Sequence, residues 1–257
     1  MGIQKGRGPA FGGVAVMMSE RTFARRFSSY WQNLLPMADH FIRSMNLNPF
    51  RYDYEIESKS SPDRRAFINE TSFLVASYAD SDLVFSTGID KYDYINHIQE
   101  AEAAAVVKIA LLEKRKPEDI ASLSDVESVE VQNLSKSIFR FIESDRGQND
   151  FLFSPVFPGC GMVSECAVDL RVRDALCELK AGDRGFRSQD LRQVFAYICL
   201  NYSKPQFGIN RVCIVNPRRG TKFEVEVNSL CKAIAGRSFY DVAGDLVKFM
   251  SEVSISR

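Results

Sequence analysis

Three side chains in one short stretch of the sequence have the types and spacing of a reactive set: Asp169, Glu178 and Lys180, within Glu165–Lys180 (ECAVDLRVRDALCELK). Two carboxylates and an ammonium gathered in one place are costly to remove from water unless the acids are offset. A hard divalent cation with oxygen ligands offsets them well. The set therefore points to a metal-assisted site, provided the chain brings the three together.

The local pattern predicts that it does. Val168, Leu170 and Val172 alternate with Ala167, Asp169 and Arg171, the two-residue period of a strand with one buried face, so Asp169 is expected to point away from the core. A turn at Arg173 and Asp174 leads to a second strand over 175–181, with Cys177 and Leu179 on one face and Leu176, Glu178 and Lys180 on the other. Before these strands the spacing predicts an amphipathic helix over 125–144 and a strand over 151–157. After them come a helix over 188–202 closed before Pro205, an apolar interior strand Arg211–Asn216, a turn at Pro217–Gly220, an alternating strand Lys222–Val227 and a last helix over 239–253.

The first half reads differently. Met1–Gly13 is a Gly-rich, loosely basic leader. From Ser19 the residues Phe23, Phe27, Tyr30, Trp31, Leu34 and Leu35 recur at helical spacing, and Pro36 restarts a second helix. Further helices are expected from Pro62 to about Asp80 and from Tyr92 to Glu113, the latter with an alanine-rich middle. The expected organisation is a mostly helical region, 1–123, followed by a mixed α/β core, 124–257.

The 257 residues balance 33 basic against 33 acidic side chains, so net charge names no partner for the whole chain. The part from Phe151 onward is mildly basic and what precedes it mildly acidic, which suits an anionic ligand at the C-terminal part. All six cysteines fall in that part, none in a CxxC pair, and they read as buried small apolar residues in a reducing, cytoplasmic setting. No apolar run approaches the roughly 20 residues that span a bilayer. There is no GxxxxGK[ST] loop, so the chain is not expected to hydrolyse nucleotides itself. A GxSxG elbow and a dinucleotide fingerprint are also lacking.

Asp169 followed after eight residues by Glu178-Leu179-Lys180 resembles the D…ExK signature of the PD-(D/E)XK nuclease superfamily. Gln193 and Tyr197, one turn apart on the following helix, have the QxxxY spacing of its RecB-type branches. The resemblance covers about residues 125–227. It departs from the pattern in having Val168, not proline, before Asp169, and in lacking an evident extra acid, for which Glu130 and Glu127 on the preceding helix and Glu165 on the Asp169 face of the strand are the candidates. It implies a restriction-endonuclease-like α+β fold with a mixed sheet flanked by helices.

The resemblance further implies a Mg²⁺-dependent (or Mn²⁺-dependent) DNA nuclease. Asp169, Glu178 and the Leu179 carbonyl would hold the metal, Lys180 would orient water or stabilise developing charge, and Gln193 and Tyr197 would position the site. Arg171, Arg184, Arg187, Arg192, Arg218 and Arg219 surround these elements in sequence and are the expected phosphate contacts. It also implies a restriction or antiphage-defence setting with a controlling protein partner, such as a helicase or ATPase, docked on the aromatic N-terminal helices. The competing readings are a catalytically inactive nuclease fold that binds nucleic acid or a partner, and an RNA-directed nuclease.

Overall fold

The central strands are dictated by two apolar runs, ALCEL and RVCIVN, that leave almost no polar side chain for a solvated face. In the computed structural model, which describes residues 17–79, 97–145 and 150–252, they are β6 (Ala175–Leu179) and β7 (Arg211–Asn216), paired in parallel. Both are covered on both faces, as such runs require. Leu176, Val212 and Ile214 pack toward one apolar cluster, and Cys177, Cys213 and Val215 toward another. A parallel pair needs a crossover, supplied here by the helix Ser188–Ser203.

Numbered in chain order, the other helices are α1 (Glu20–Arg25), α2 (Ser28–Leu34), α3 (Ala38–Leu47), α4 (Arg65–Tyr78), α5 (Ile98–Glu113) and α6 (Asp125–Ser144). The crossover is α7, followed by α8 (Val227–Ala235) and α9 (Phe239–Glu252). The remaining strands are β1 (Phe50–Arg51), β2 (Phe151–Phe153), β3 (Val156–Phe157), β4 (Cys166–Ala167), β5 (Leu170–Val172) and β8 (Thr221–Glu226). They form a six-stranded mixed sheet in the order β1-β8-β7-β6-β5-β2 and a separate antiparallel pair, β3-β4. The architecture is thus a mixed sheet flanked by helices.

Several expected elements are cut shorter. The strand expected over 151–157 is two, because Ser154 adopts a left-handed φ of 52° and Pro155 has no amide hydrogen to extend the ladder. Its partner breaks opposite, between Ala167 and Leu170, where Asp169 and Val168 close the kink through bonds to Ser154 and Pro155. The helix expected to run from Ser19 to Leu35 breaks at Phe27, itself left-handed at φ 57°, whose ring packs edge-on to Phe249. Helix α8 was not expected; it starts where the alternating strand ends, with Glu226 accepting from the amides of Asn228 and Ser229. At the β7–β8 turn Gly220 has φ 59°, and a Cβ there would run into the Asp53 carbonyl oxygen. The leader over 1–13, residues 92–96 of the long helix, most of the turn after Asp145 and Val253 at the end of the last helix lie outside the described residues.

The N-terminal elements share the cores of the sheet. Phe23, Trp31, Leu34 and Leu35 lie in one cluster with Leu191, Phe195 and Leu246, while Ile68 and Val75 lie with Leu170, Ile138 and Val215. Strand β1 adds to the sheet by pairing Phe50 with Lys222. Of the aromatics on the first helices, Phe23 and Trp31 are fully buried inside their own chain, and Phe27 and Tyr30 are half-buried.

Helix α6 shows how one end is fixed. Ser124 caps it, and Glu127 at the third position returns to the Ser124 amide at 2.9 Å and takes Arg64 Nε at 2.8 Å. The Arg64 guanidinium, followed by the Ser124 bonds, holds the Glu127 carboxyl down to about 2 from an ordinary 4.5. A depressed carboxyl pKa adds stability that is fully present above the unfolded value near 4.5 and lost as pH falls toward 2. Glu127→Gln is accordingly expected to lose about 2 kcal/mol at pH 7, with the gap to the parent protein narrowing at pH 3.5 in urea titrations. A gap that stayed constant between the two pH values would show that the charge is not what stabilises this cap.

Candidate active site

Strand β6 brings Glu178 and Lys180 to the face covered by α7, and the kink before β5 sets Asp169 beside them. The Leu179 amide, pointing past the end of β5, donates to Asp169 Oδ2 at 2.7 Å. Lys180 Nζ donates to Glu178 Oε1 at 2.5 Å and to Gln193 Oε1 at 2.9 Å. Gln193 and Tyr197, one turn apart on α7, are joined by a 2.8 Å bond from Gln193 Nε2 to the Tyr197 hydroxyl. Asp169, Glu178, Lys180, Gln193 and Tyr197 are therefore one connected cluster, as the spacing predicted.

The electrostatics of the cluster follow from burial. Glu178 is only 2% exposed, and its Oε2 has no hydrogen-bond partner. Burial, then the charge of Asp169, push its carboxyl up to about 7, against the pull of Lys180. Burial also raises the Asp169 carboxyl above its ordinary value, opposed by Lys180 and the Leu179 amide. Tyr197 is raised too, through burial and the nearby acids, so its hydroxyl stays protonated. The buried Glu178 is thus bonded to the ammonium that also faces the half-buried Asp169, and one Glu178 oxygen is left unsatisfied.

That oxygen is the observation against which a metal is tested. Among the described residues no three His, Cys, Asp or Glu side chains converge as a metal cage. An ion that keeps several waters and takes only one or two carboxylates, as Mg²⁺ does, needs no such cage. Asp169, Glu178 and the Leu179 carbonyl make a donor set of that hard-oxygen kind, and the lone Oε2 of Glu178 fits it.

An acid of helix α1 also reaches the cluster. Glu20, in the first turn of α1, accepts from Gln193 Nε2 at 3.2 Å and from the Tyr197 hydroxyl at 3.3 Å. It was hidden by a separation of more than 170 residues. Its sequence signal, an acid just after the Ser19 cap, is accounted for by helix-end electrostatics alone. The acids proposed from sequence lie elsewhere. Glu165 is exposed and outside the strands. Glu130 is buried against Arg218 at 2.6 Å and also takes the amides of Lys59 and Ser60, while Glu127 serves the α6 cap.

The cluster opens into a cleft of about 450 Å³ whose second wall comes from the first half of the chain. Arg21 and Arg25, four apart on α1, line it together with Arg184, Arg187 and Lys108 of α5, the last held by Glu70 at 2.5 Å. Of the six expected phosphate contacts, only Arg184 and Arg187 reach this cleft, and Arg184 is held by Asp190 at 2.7 and 2.8 Å. Arg192 lines a neighbouring cleft. Arg218 is 2% exposed and locked to Glu130, so it cannot touch a ligand. Arg171 pairs with Asp150 at 2.7 Å and lies over the Phe207 ring, and Arg219 sits at the β7–β8 turn near Arg51; neither lines the cleft.

No family model and no curated protein matches this chain. No helix among the described residues is long and apolar enough to cross a membrane.

Proposed function

We propose that the cleft is the active site of a divalent-metal-dependent nuclease with a restriction-endonuclease-like core, acting on DNA. The observation that carries the reading is the cluster of Asp169, Glu178 and Lys180, with Glu178 buried and one of its oxygens unsatisfied, at a cleft edged by Arg21, Arg25, Arg187 and the acid-paired Lys108 and Arg184. A cleft that combines acids with a cationic edge suits a substrate whose own charge is negative and whose reaction needs a cation beside the acids.

Asp169, Glu178 and the Leu179 carbonyl are the residues that would hold Mg²⁺ or Mn²⁺. Such an ion, when bound, supplies Lewis acidity and makes a water more acidic. The chain's own groups do the rest. Lys180 is tethered on two sides, by Glu178 and Gln193, so its ammonium is fixed in advance where negative charge develops on a phosphodiester. Gln193 carries that tether on to Tyr197 and Glu20, which makes Glu20 and Tyr197 positioning residues for Lys180. The cationic residues along the cleft hold backbone phosphates without reading bases.

The test is cleavage of circular and linear DNA, with RNA as competitor, in Mg²⁺ against EDTA. Metal-dependent loss of both DNA forms is expected, with Glu20→Ala slowing it about 10–100-fold, the scale of losing an outer-shell partner. A folded protein that binds DNA but leaves it intact in Mg²⁺ and Mn²⁺ would point instead to a binding subunit, with Lys180–Glu178 a structural ion pair. Preferential loss of RNA would move the substrate assignment.

A further inference from the structure

A second cleft lies around the same helix as the catalytic one. On α7 Gln193 lines the catalytic cleft, Ser188 and Arg192 line the neighbour, of similar volume, about 450 Å³, and Gln189 lines both. Successive helical residues are about 100° apart, so these two rows of i, i+4 residues look out on adjacent sides of one helix. Its other wall is the Asp39, Arg43 and Asn46 face of α3. Arg187 and Gln189 line both clefts, which adjoin at the start of α7.

The chemistry of this second cleft selects an anion. Helix α7 has 16 residues, and the first amides of a helix have no intrahelical acceptor. The Arg187 amide is taken by Asp190 at 2.9 Å, and Ser188 and Gln189, whose amides fall in the helix's first turn, line the cleft. Independently, Arg192 is 8% exposed and its Nε has no hydrogen-bond partner. A buried guanidinium with an unused donor is costly, and its flat fork matches a phosphate. Arg43 and Arg187 add two further positive charges, against one negative charge from Asp39.

We infer that this cleft is a phosphate-binding subsite that grips a backbone phosphate of the nucleic acid whose neighbouring phosphodiester lies in the catalytic cleft. Arg192 and the amides of Ser188 and Gln189 form its base, and Arg43 and Arg187 its edge. The strand passes over the start of α7, with Arg187 serving both positions. The inference rests on the nucleic-acid reading of the catalytic cleft and adds to it the path and anchoring point of the substrate.

The test measures binding of a fluorescein-labelled 20-base-pair DNA by anisotropy in EDTA over a series of NaCl concentrations. Arg43→Gln changes an exposed side chain and should fold normally; Arg192→Gln is paired with a thermal melt, and Arg192→Lys is its conservative partner. Each Gln variant is expected to bind roughly fivefold more weakly and to reduce the salt slope by about 1, the signature of one lost phosphate contact. Unchanged affinity and slope in both would overturn the subsite. Inorganic phosphate that protects the parent protein but not Arg192→Gln against heat, with DNA affinity unaltered, would also overturn it, because the cleft would then serve free phosphate. If the parent protein never cuts DNA in Mg²⁺ while both variants lose DNA affinity, the subsite stands and only the cleavage chemistry falls.

Discussion

Lys180→Met is expected to lower metal-dependent DNA cleavage about 10²–10³-fold, the usual effect of removing one pre-positioned charge from a transition-state site. The side chain is short of alternatives: its ammonium is the one cation bonded to Glu178, and Gln193 fixes its second contact. The same change has a stability signature that separates chemistry from folding. Glu178 already has its carboxyl pushed up to about 7 by burial and Asp169, and losing Lys180 raises it further. A carboxyl raised in the folded state costs stability as pH rises from its unfolded value, near 4.5, up to its folded value. Lys180→Met should therefore be destabilised more at pH 8 than at pH 5.5, by about 3 kcal/mol at the upper end, when measured in urea with EDTA. Glu178→Gln combined with Lys180→Met removes the lone charge and should restore much of that stability without restoring cleavage. Cutting at the parental rate by a well-folded Lys180→Met protein would remove the lysine from the mechanism.

Arg218→Met should produce the largest loss of stability, about 3–5 kcal/mol, as expected for breaking a buried ion pair on one side only. Arg218 ties together three parts of the fold: Nη1 donates to Glu130 of α6 at 2.6 Å, Nη2 to Asn69 of α4 at 3.0 Å, and Nε to the Ala181 carbonyl at 3.0 Å. A lysine there offers one point charge and cannot span three acceptors, so Arg218→Lys should rescue little. Arg219→Met, one residue on, should stay within about 0.5 kcal/mol. The comparison is read from urea midpoints. Equal midpoints for Arg218→Met and the parent would mean that the Lys59 and Ser60 amides satisfy Glu130 without help. Because Ala181 follows Lys180 directly, the Arg218 variant should also lose cleavage in excess of its unfolded fraction.

The reactive set was legible because its members are local in sequence. Period places Glu178 and Lys180 on one face of a strand, and the D…ExK and QxxxY resemblance picks out Asp169, Gln193 and Tyr197, although the strand expected at Asp169 kinks there and sends Val168 and Leu170 to different cores. The interior strand Arg211–Asn216 was legible from its unbroken apolar run. What periodicity cannot carry is contact between distant segments. Glu20, Arg21, Arg25 and Lys108 join the site through packing of α1, α4 and α5 over the sheet, and nothing in their local sequence says so. The arginines show the converse error: Arg218 and Arg171 stand near the motif in sequence, yet one is locked to Glu130 and the other to Asp150. The strand break at Ser154 and the helix break at Phe27 are not legible in the sequence because a left-handed φ at a non-glycine residue is set by its surroundings.

The parallel pairing of β6 with β7 also governs when activity can arise. The Lys180 amide is held by the Val215 carbonyl, and β7 enters the sheet only after α7 has crossed over. A nascent chain emerging from the ribosome therefore carries Glu20, Asp169, Glu178 and Lys180 well before it holds the strand that seats the lysine. Until β7 has emerged, the proposed site therefore lacks the carbonyl that seats its lysine.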